Sequence, residues 1–120
     1  MKNPITGKQM KLKRIARKLV FRKEEFNYMH HAFEDEETEE LFTTTHLDEL
    51  NMLQVYNQYR ERHKIPFPKE IGDIREKYGV SAKKMSEILG FGGNSYRNYE
   101  KGEVPSVSNA RLIQSVKAPK

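Results

Sequence analysis

The 120-residue chain contains no cysteine and no tryptophan. Without thiols it has neither a disulfide framework nor a thiolate metal site. No apolar run approaches the roughly 20 residues of a membrane-spanning helix, and the basic N-terminus is not followed by a secretory apolar core. The expected location is therefore cytoplasmic. Proline is scarce, with five residues, and there is no long low-complexity tract. Apolar residues make up 36% of the chain and include twelve aromatics, lean for a globular protein but too rich for wholesale disorder. The length suits one domain or two small ones.

Two further absences are local. Residues 1–23 carry nine Lys and Arg but no acid, and residues 24–50 carry ten Asp and Glu but no Lys or Arg. The modest overall charge of +5 thus hides blocks of +9 and −10, followed by +6 over residues 51–120. Such asymmetry points to partners rather than to fold. The basic block has two readings: solvent faces of a protected sheet edge, or a surface for nucleic acid or an acidic partner.

Residues 8–14 and 16–22 alternate as two short strands, with Met10, Leu12 and Arg14, then Leu19 and Phe21. Phe26, Tyr28 and His30 share one face of a third candidate strand, 25–33. The acidic run 34–40 reads as a turn before a short fourth strand at 40–44. Thr45 is a plausible N-cap for a helix over 46–63, with Met52, Val55, Tyr56 and Tyr59 on one face. Ile65-Pro66-Phe67-Pro68 must break that helix and marks the expected domain boundary. Four short helices come next, at 68–78, 82–89, 94–101 and 107–116, punctuated by Gly79, Gly90, Gly102 and Pro105. The fold class is α+β: a small antiparallel sheet plus helix in residues 1–64, then an all-α domain in residues 65–120.

Two helices of about eight residues joined by a glycine-containing turn can place the second in a DNA major groove. Met85, Ile88 and Leu89 are expected to face the core, as are Tyr96 and Tyr99. That leaves Asn94, Ser95, Arg97 and Asn98 outward. Asn can pair with adenine, Arg with guanine, and Ser with several base edges. Ser81, Lys83, Lys84 and Lys101 are the expected phosphate contacts, which position a protein without reading sequence.

The stretch from Ile74-Arg75-Glu76-Lys77-Tyr78-Gly79-Val80-Ser81 to Tyr99-Glu100-Lys101-Gly102 resembles the Xre/Cro family of helix-turn-helix regulators. More narrowly, Ser86-Glu87-Ile88-Leu89-Gly90-Phe91-Gly92-Gly93-Asn94-Ser95-Tyr96 with Tyr99-Glu100-Lys101-Gly102 resembles the MqsA-type (YgiT-type) antitoxins. The resemblance implies a DNA-binding domain that dimerises and represses its own operon, after an N-terminal zinc-binding domain that binds a toxin. On that alignment Asn94 takes the place of a base-reading asparagine, and Asn98 that of a base-reading arginine. Ala82 stands where many relatives contact phosphate through glutamine. Arg75 and Glu100 match a structural ion pair.

The N-terminal half departs from the family pattern. Asn3-Pro4-Ile5-Thr6-Gly7 and Glu34-Asp35-Glu36-Glu37 stand where relatives have two Cys-x-x-Cys knuckles, so the ribbon keeps its spacing without its thiolates. No metal or other cofactor is expected, since clustered Glu34 and Glu37 read as a solvated turn. His30, His31, His46 and His63 have no metal-ligand spacing. Glu36 with His31 forms an acid–base pair only on paper, and phosphate-binding glycine loops and nucleophile elbows are absent. No enzymatic activity is expected.

The expected function is therefore sequence-specific binding of double-stranded DNA by an autorepressing antitoxin of a toxin–antitoxin pair. Its partners would be an operator, a cognate toxin docked on residues 1–64, where the −10 block could face a basic toxin, and a second copy of the chain. The last helix is the expected dimer interface unless its apolar residues finish the domain core. The alternative is a protein-interaction adaptor acting through residues 1–64. The end at Lys117-Ala118-Pro119-Lys120, soon after the last helix, is what a piece of a longer protein would show.

Overall fold

A computed structural model describes residues 2–117; the chain-end reading at 118–120 lies outside them. The elements run β1 (Met10–Phe21), β2 (Glu24–Asp35), β3 (Leu41–Phe42), α1 (Thr45–His63), α2 (Pro68–Tyr78), α3 (Ala82–Leu89), α4 (Ser95–Glu100) and α5 (Val107–Ser115). The class is α+β, with an antiparallel sheet in the order β1-β2-β3 ahead of the helices. No helix among the described residues is long and apolar enough to cross a membrane.

The chain divides into two compact units between Gln58 and Tyr59, inside α1 rather than at the proline-bounded tetrapeptide. The reason lies in Arg60, which is buried with the second unit. Its Nη2 donates to the Gly102 carbonyl at 2.7 Å, and its guanidinium lies 5.5 Å from the Phe67 ring centre. The prolines end the helix, but its last turn already belongs to the second unit.

In the first unit, the two strands expected at 8–14 and 16–22 are one. Nothing between Arg14 and Ala16 interrupts pairing, and the register runs unbroken from Met10 opposite Asp35 to Phe21 opposite Glu24. Arg22 (φ 50°) and Lys23 (φ 68°) form the turn. Two successive positive φ values suit the twist of a hairpin, although the usual Asn-Gly signal is missing here. Ile15, Leu19 and Phe21 share the inner face with Phe26, Tyr28, His30 and Ala32. Phe26 and Ala32 are fully buried, and Phe21 packs on Tyr56 with ring centres 5.2 Å apart. The other face leaves Leu12, Val20 and Met29 exposed.

Helix α1 starts at Thr45, the residue expected to cap it, one residue earlier than expected. Thr44 Oγ1, not Thr45, accepts the Leu47 amide at 3.2 Å. The buried positions are Leu47, Asn51, Val55, Tyr59 and Arg60, with Met52 and Tyr56 half-buried. This helix also covers the edge of β2 with side-chain amides. Asn51 Oδ1 accepts from His31 N at 2.7 Å, and Nδ2 donates to His31 O at 3.1 Å. Gln54 does the same for Met29 at 3.0 and 2.8 Å, and Gln58 Nε2 donates to Asn27 O at 2.7 Å. These amides satisfy the strand edge that β3, two residues long, does not reach.

The opposed charge blocks meet across the hairpin. Lys8 pairs with Glu37, Lys11 with Glu36 at 3.3 Å, Lys13 with Glu34 at 2.8 Å and Lys18 with Glu25 at 3.6 Å. Pairs this exposed contribute little each, but together they disperse both blocks.

In the two loops at residues 3–7 and 34–37, Asn3 and Asp35 are joined. Asn3 Nδ2 donates to Asp35 Oδ2 at 2.8 Å, and both residues are buried. Asn3 Oδ1 accepts the Ile5 and Thr6 amides at 2.8 and 3.3 Å; Asp35 Oδ1 accepts those of Glu37 and Thr38 at 2.9 and 3.1 Å. Each loop is thus turned by its own side chain, and one hydrogen bond ties the two loops together.

The Thr38 amide, then the Asn3 side chain and the Glu37 amide, hold the Asp35 carboxyl below the usual carboxylate value. A carboxyl lowered on folding stabilises the fold above its unfolded pKa, and that contribution disappears as pH falls through the folded value. Urea midpoints should therefore drop as pH is lowered from about 5 toward 3. Asp35→Asn should flatten that slope, because it keeps an acceptor for the loop amides but takes up no proton there.

Candidate nucleic-acid interface

The second unit begins its helices with Pro68 at the first turn of α2, where a missing N–H costs nothing. Ser81 caps α3, its Oγ accepting the Lys84 amide at 3.1 Å. Gly79 (φ 64°) and Gly90 (φ 77°) end α2 and α3 in left-handed conformations that glycine adopts without a Cβ clash. Ile71, Ile74, Met85, Tyr96, Tyr99 and Ile113 form the core, with Leu89 and Phe91 packed against it.

Ile88 departs from expectation: it is 55% exposed. The inward arc of α3 is Ala82, Met85, Ser86 and Leu89, and Ile88 lies about a third of a turn from its centre. Ile88 instead lines an apolar hollow with Tyr78, Met85 and Val116. In α5, Ala110 and Ile113 are buried while Leu112 is exposed, so the helix completes the core of this unit.

Helix α4 has an inner side tied by polar bonds and an outer side left to solvent. Inside, the Tyr96 amide donates to Ser86 Oγ at 3.0 Å, and its hydroxyl to the Ile71 carbonyl at 2.6 Å. The Tyr99 hydroxyl accepts from Asn109 Nδ2 at 2.8 Å. Glu100 binds Arg75 in a two-pronged pair, Nε to Oε2 at 2.6 Å and Nη2 to Oε1 at 3.0 Å, while Arg75 Nη1 holds the Val80 carbonyl at 3.1 Å. Gly72 makes room for this pair: a Cβ there would stand 3.3 Å from Glu100 Oε1.

Outside, Asn94, Arg97, Asn98 and Lys101 are exposed at i, i+3, i+4 and i+7, one stripe along the helix; Ser95 is half-buried beside it. Asn94 takes near-helical angles at the start of α4, and its amide caps nothing in the helix. On α3, Ser81, Lys83 and Lys84 are exposed. Ser81 spends one lone pair on its cap and keeps a hydroxyl hydrogen. Lys84 lies 3.7 Å from Glu87, an exposed pair that a phosphate could displace. Sequence reasoning missed Ser86, Gly72 and Asn109, whose roles depend on which neighbours the fold brings to them.

Acidic residues 34 and 37 pair with Lys13 and Lys8, and among the described residues no group of three His, Asp or Glu is placed to hold a metal. His30 Nδ1 lies 3.0 Å from the Tyr28 hydroxyl, and burial, then Arg17, lowers its pKa. His31 Nδ1 lies 2.7 Å from the Met29 carbonyl, and Arg14 Nε donates to its Nε2 at 3.3 Å.

Burial pushes the Tyr96 hydroxyl up to about 12. A group raised on folding supports stability below its unfolded pKa, here about 10, and that support is lost as pH rises through the folded value. Stability should therefore fall between about pH 10 and pH 12. Tyr96→Phe should lose that component and cost about 0.5–1.5 kcal/mol at neutral pH in urea unfolding, since it removes one buried hydrogen bond while the Ile71 carbonyl keeps its place in α2.

Compared with known proteins, the chain matches no family model and no curated protein.

Proposed function

We propose that residues 59–120 bind double-stranded DNA with sequence selectivity, as a helix-turn-helix regulator. The observation that carries the reading is the two-sided build of α4: a stripe of Asn94, Arg97, Asn98 and Lys101 outward, opposite an inner side anchored by Tyr96, Tyr99 and Glu100. A short helix held this firmly, directly after a capped helix and a glycine turn, suits insertion into a major groove. Asn94, Ser95, Arg97 and Asn98 read base edges, while Ser81, Lys83, Lys84 and Lys101 contact phosphates.

The chain acts as a repressor of its own operon and as the antitoxin of a toxin–antitoxin pair, with a toxin bound by the first unit. Two copies read half-sites about 34–36 Å apart. Exposed Ile88, Tyr78 and Leu112 support an apolar contact between copies, since α5 itself spends Ala110 and Ile113 on its own core.

Gel shifts with the DNA upstream of the gene test the proposal. Asn94→Ala should cost about 1–3 kcal/mol on the cognate duplex and relax a single base position. Lys84→Ala should weaken cognate and scrambled duplexes alike and reduce the salt slope by about 1. Equal affinity of the unmodified chain for cognate and scrambled DNA would overturn the reading. Failure to co-purify with the product of the neighbouring reading frame would remove the antitoxin part alone.

A further inference from the structure

The register of the hairpin assigns a direction to every backbone group of β1. Opposed residues in an antiparallel pair alternately exchange backbone bonds or turn them outward. Met29 and His31 turn theirs away from β1, to the amides of Gln54 and Asn51, and Asn27 turns its carbonyl to Gln58. Their register partners are Ala16, Arg14 and Lys18. Those residues therefore direct N–H and C=O groups to the outer side of β1, and the alternation extends to Leu12 and Val20. Among the described residues β1 ends the sheet, with no strand on that side.

The side chains along this edge are apolar and cationic. Leu12 and Val20 are 47% and 65% exposed, with exposed Ala16 between them and Met29 (42%) opposite it on the same face. Arg14 and Lys18 alternate with them, and Lys11, Lys13 and Arg17 line the other face. Lys11, Lys13 and Lys18 hold cross-strand carboxylates in exposed pairs that an incoming carboxylate can displace, while among the described residues Arg14 contacts only a neutral group, the His31 ring. The strand contains no acid.

A second copy is a poor occupant. Antiparallel self-pairing centred on Ala16 sets Arg14 against Lys18; centring it on Arg14 or Lys18 sets that cation against itself. Like charges directly opposite are destabilising. A nucleic acid would meet the cations but leave the backbone row and the exposed aliphatic side chains unused. We propose that the outer edge of β1, residues 12–20, pairs with an extended acidic segment of another protein in which Asp or Glu alternates with apolar residues, extending the sheet by one strand. The cations exclude self-association and select the partner's charge in the same act.

The test is an NMR titration of the full chain with a peptide of about ten residues alternating Glu and Val. The expected result is binding with slowed hydrogen exchange at the amides of Leu12, Arg14, Ala16, Lys18 and Val20. N-methylation of alternate residues on the pairing side of the peptide should weaken binding at least about tenfold, since it removes main-chain donors without altering charge. A Lys-Val peptide should not bind. No binding of the Glu-Val peptide, or undiminished binding after N-methylation, overturns the proposal. So does oligothymidylate protecting the same amides equally well, which would make the edge a polyanion surface. Asn94→Ala and Lys84→Ala should leave peptide binding unchanged, separating this proposal from the DNA-binding reading.

Discussion

The two-pronged bond between Arg75 of α2 and Glu100 of α4 is the constraint on which the second unit turns. Its side chains are only 25% and 19% exposed, so water screens them less than it does a surface pair. Arg75 is fixed from both sides, by Glu100 and by the Val80 carbonyl. It thereby links α2, the turn before α3, and α4 in one arrangement. Gly72 is part of the same device, because a methyl group there would crowd the carboxylate. Once Glu100 is held, the rotation of α4 is set. Tyr96 and Tyr99 then point inward to the Ile71 carbonyl and Asn109, and the stripe from Asn94 to Lys101 can only face out.

The first unit solves a different problem, that of closing a small sheet with few large apolar residues. Its most exposed interactions, the cross-strand Lys–Glu pairs, hold charge in balance more than they hold structure. Structure comes from polar groups that are buried or paired with backbone. Asn3 and Asp35 close one end of the hairpin, and Asn51, Gln54 and Gln58 shield the strand edge that would otherwise face solvent. An amide side chain suits that task because it offers a donor and an acceptor at the spacing of a neighbouring strand. Among the described residues the opposite edge of the sheet, along β1, has no such cover and is lined by cations.

Much of this was legible in residue order. Pro68 and Ser81 mark helix starts and Gly79 and Gly90 mark helix stops by local chemistry, and α2 and α3 begin and end where those signals stand. Tyr96 and Tyr99 follow helical spacing into the core. The hairpin was harder, because Arg22 and Lys23 carry no turn signal and their left-handed φ values are imposed by the strands on either side. Arg60 stands in the last turn of α1, where a cation is ordinary, yet it is buried against Gly102 and Phe67, which lie later in the chain. Ile88 looked like a core residue from its type, but its angle on α3 turns it outward.

The sequence by itself determined the helices of the second unit, the α+β order, the absence of thiolate chemistry and the residue types available at the candidate DNA-reading helix. All of these depend on neighbours within a few positions or on composition alone. Tertiary structure decided which polar residues were partners: Asn3 with Asp35, Asn51 with His31, Ser86 with Tyr96, and the basic block with the acidic one. A hydrogen bond or ion pair between residues far apart in sequence leaves no periodic mark along the chain. It exists only where the fold brings donor and acceptor within about 3 Å.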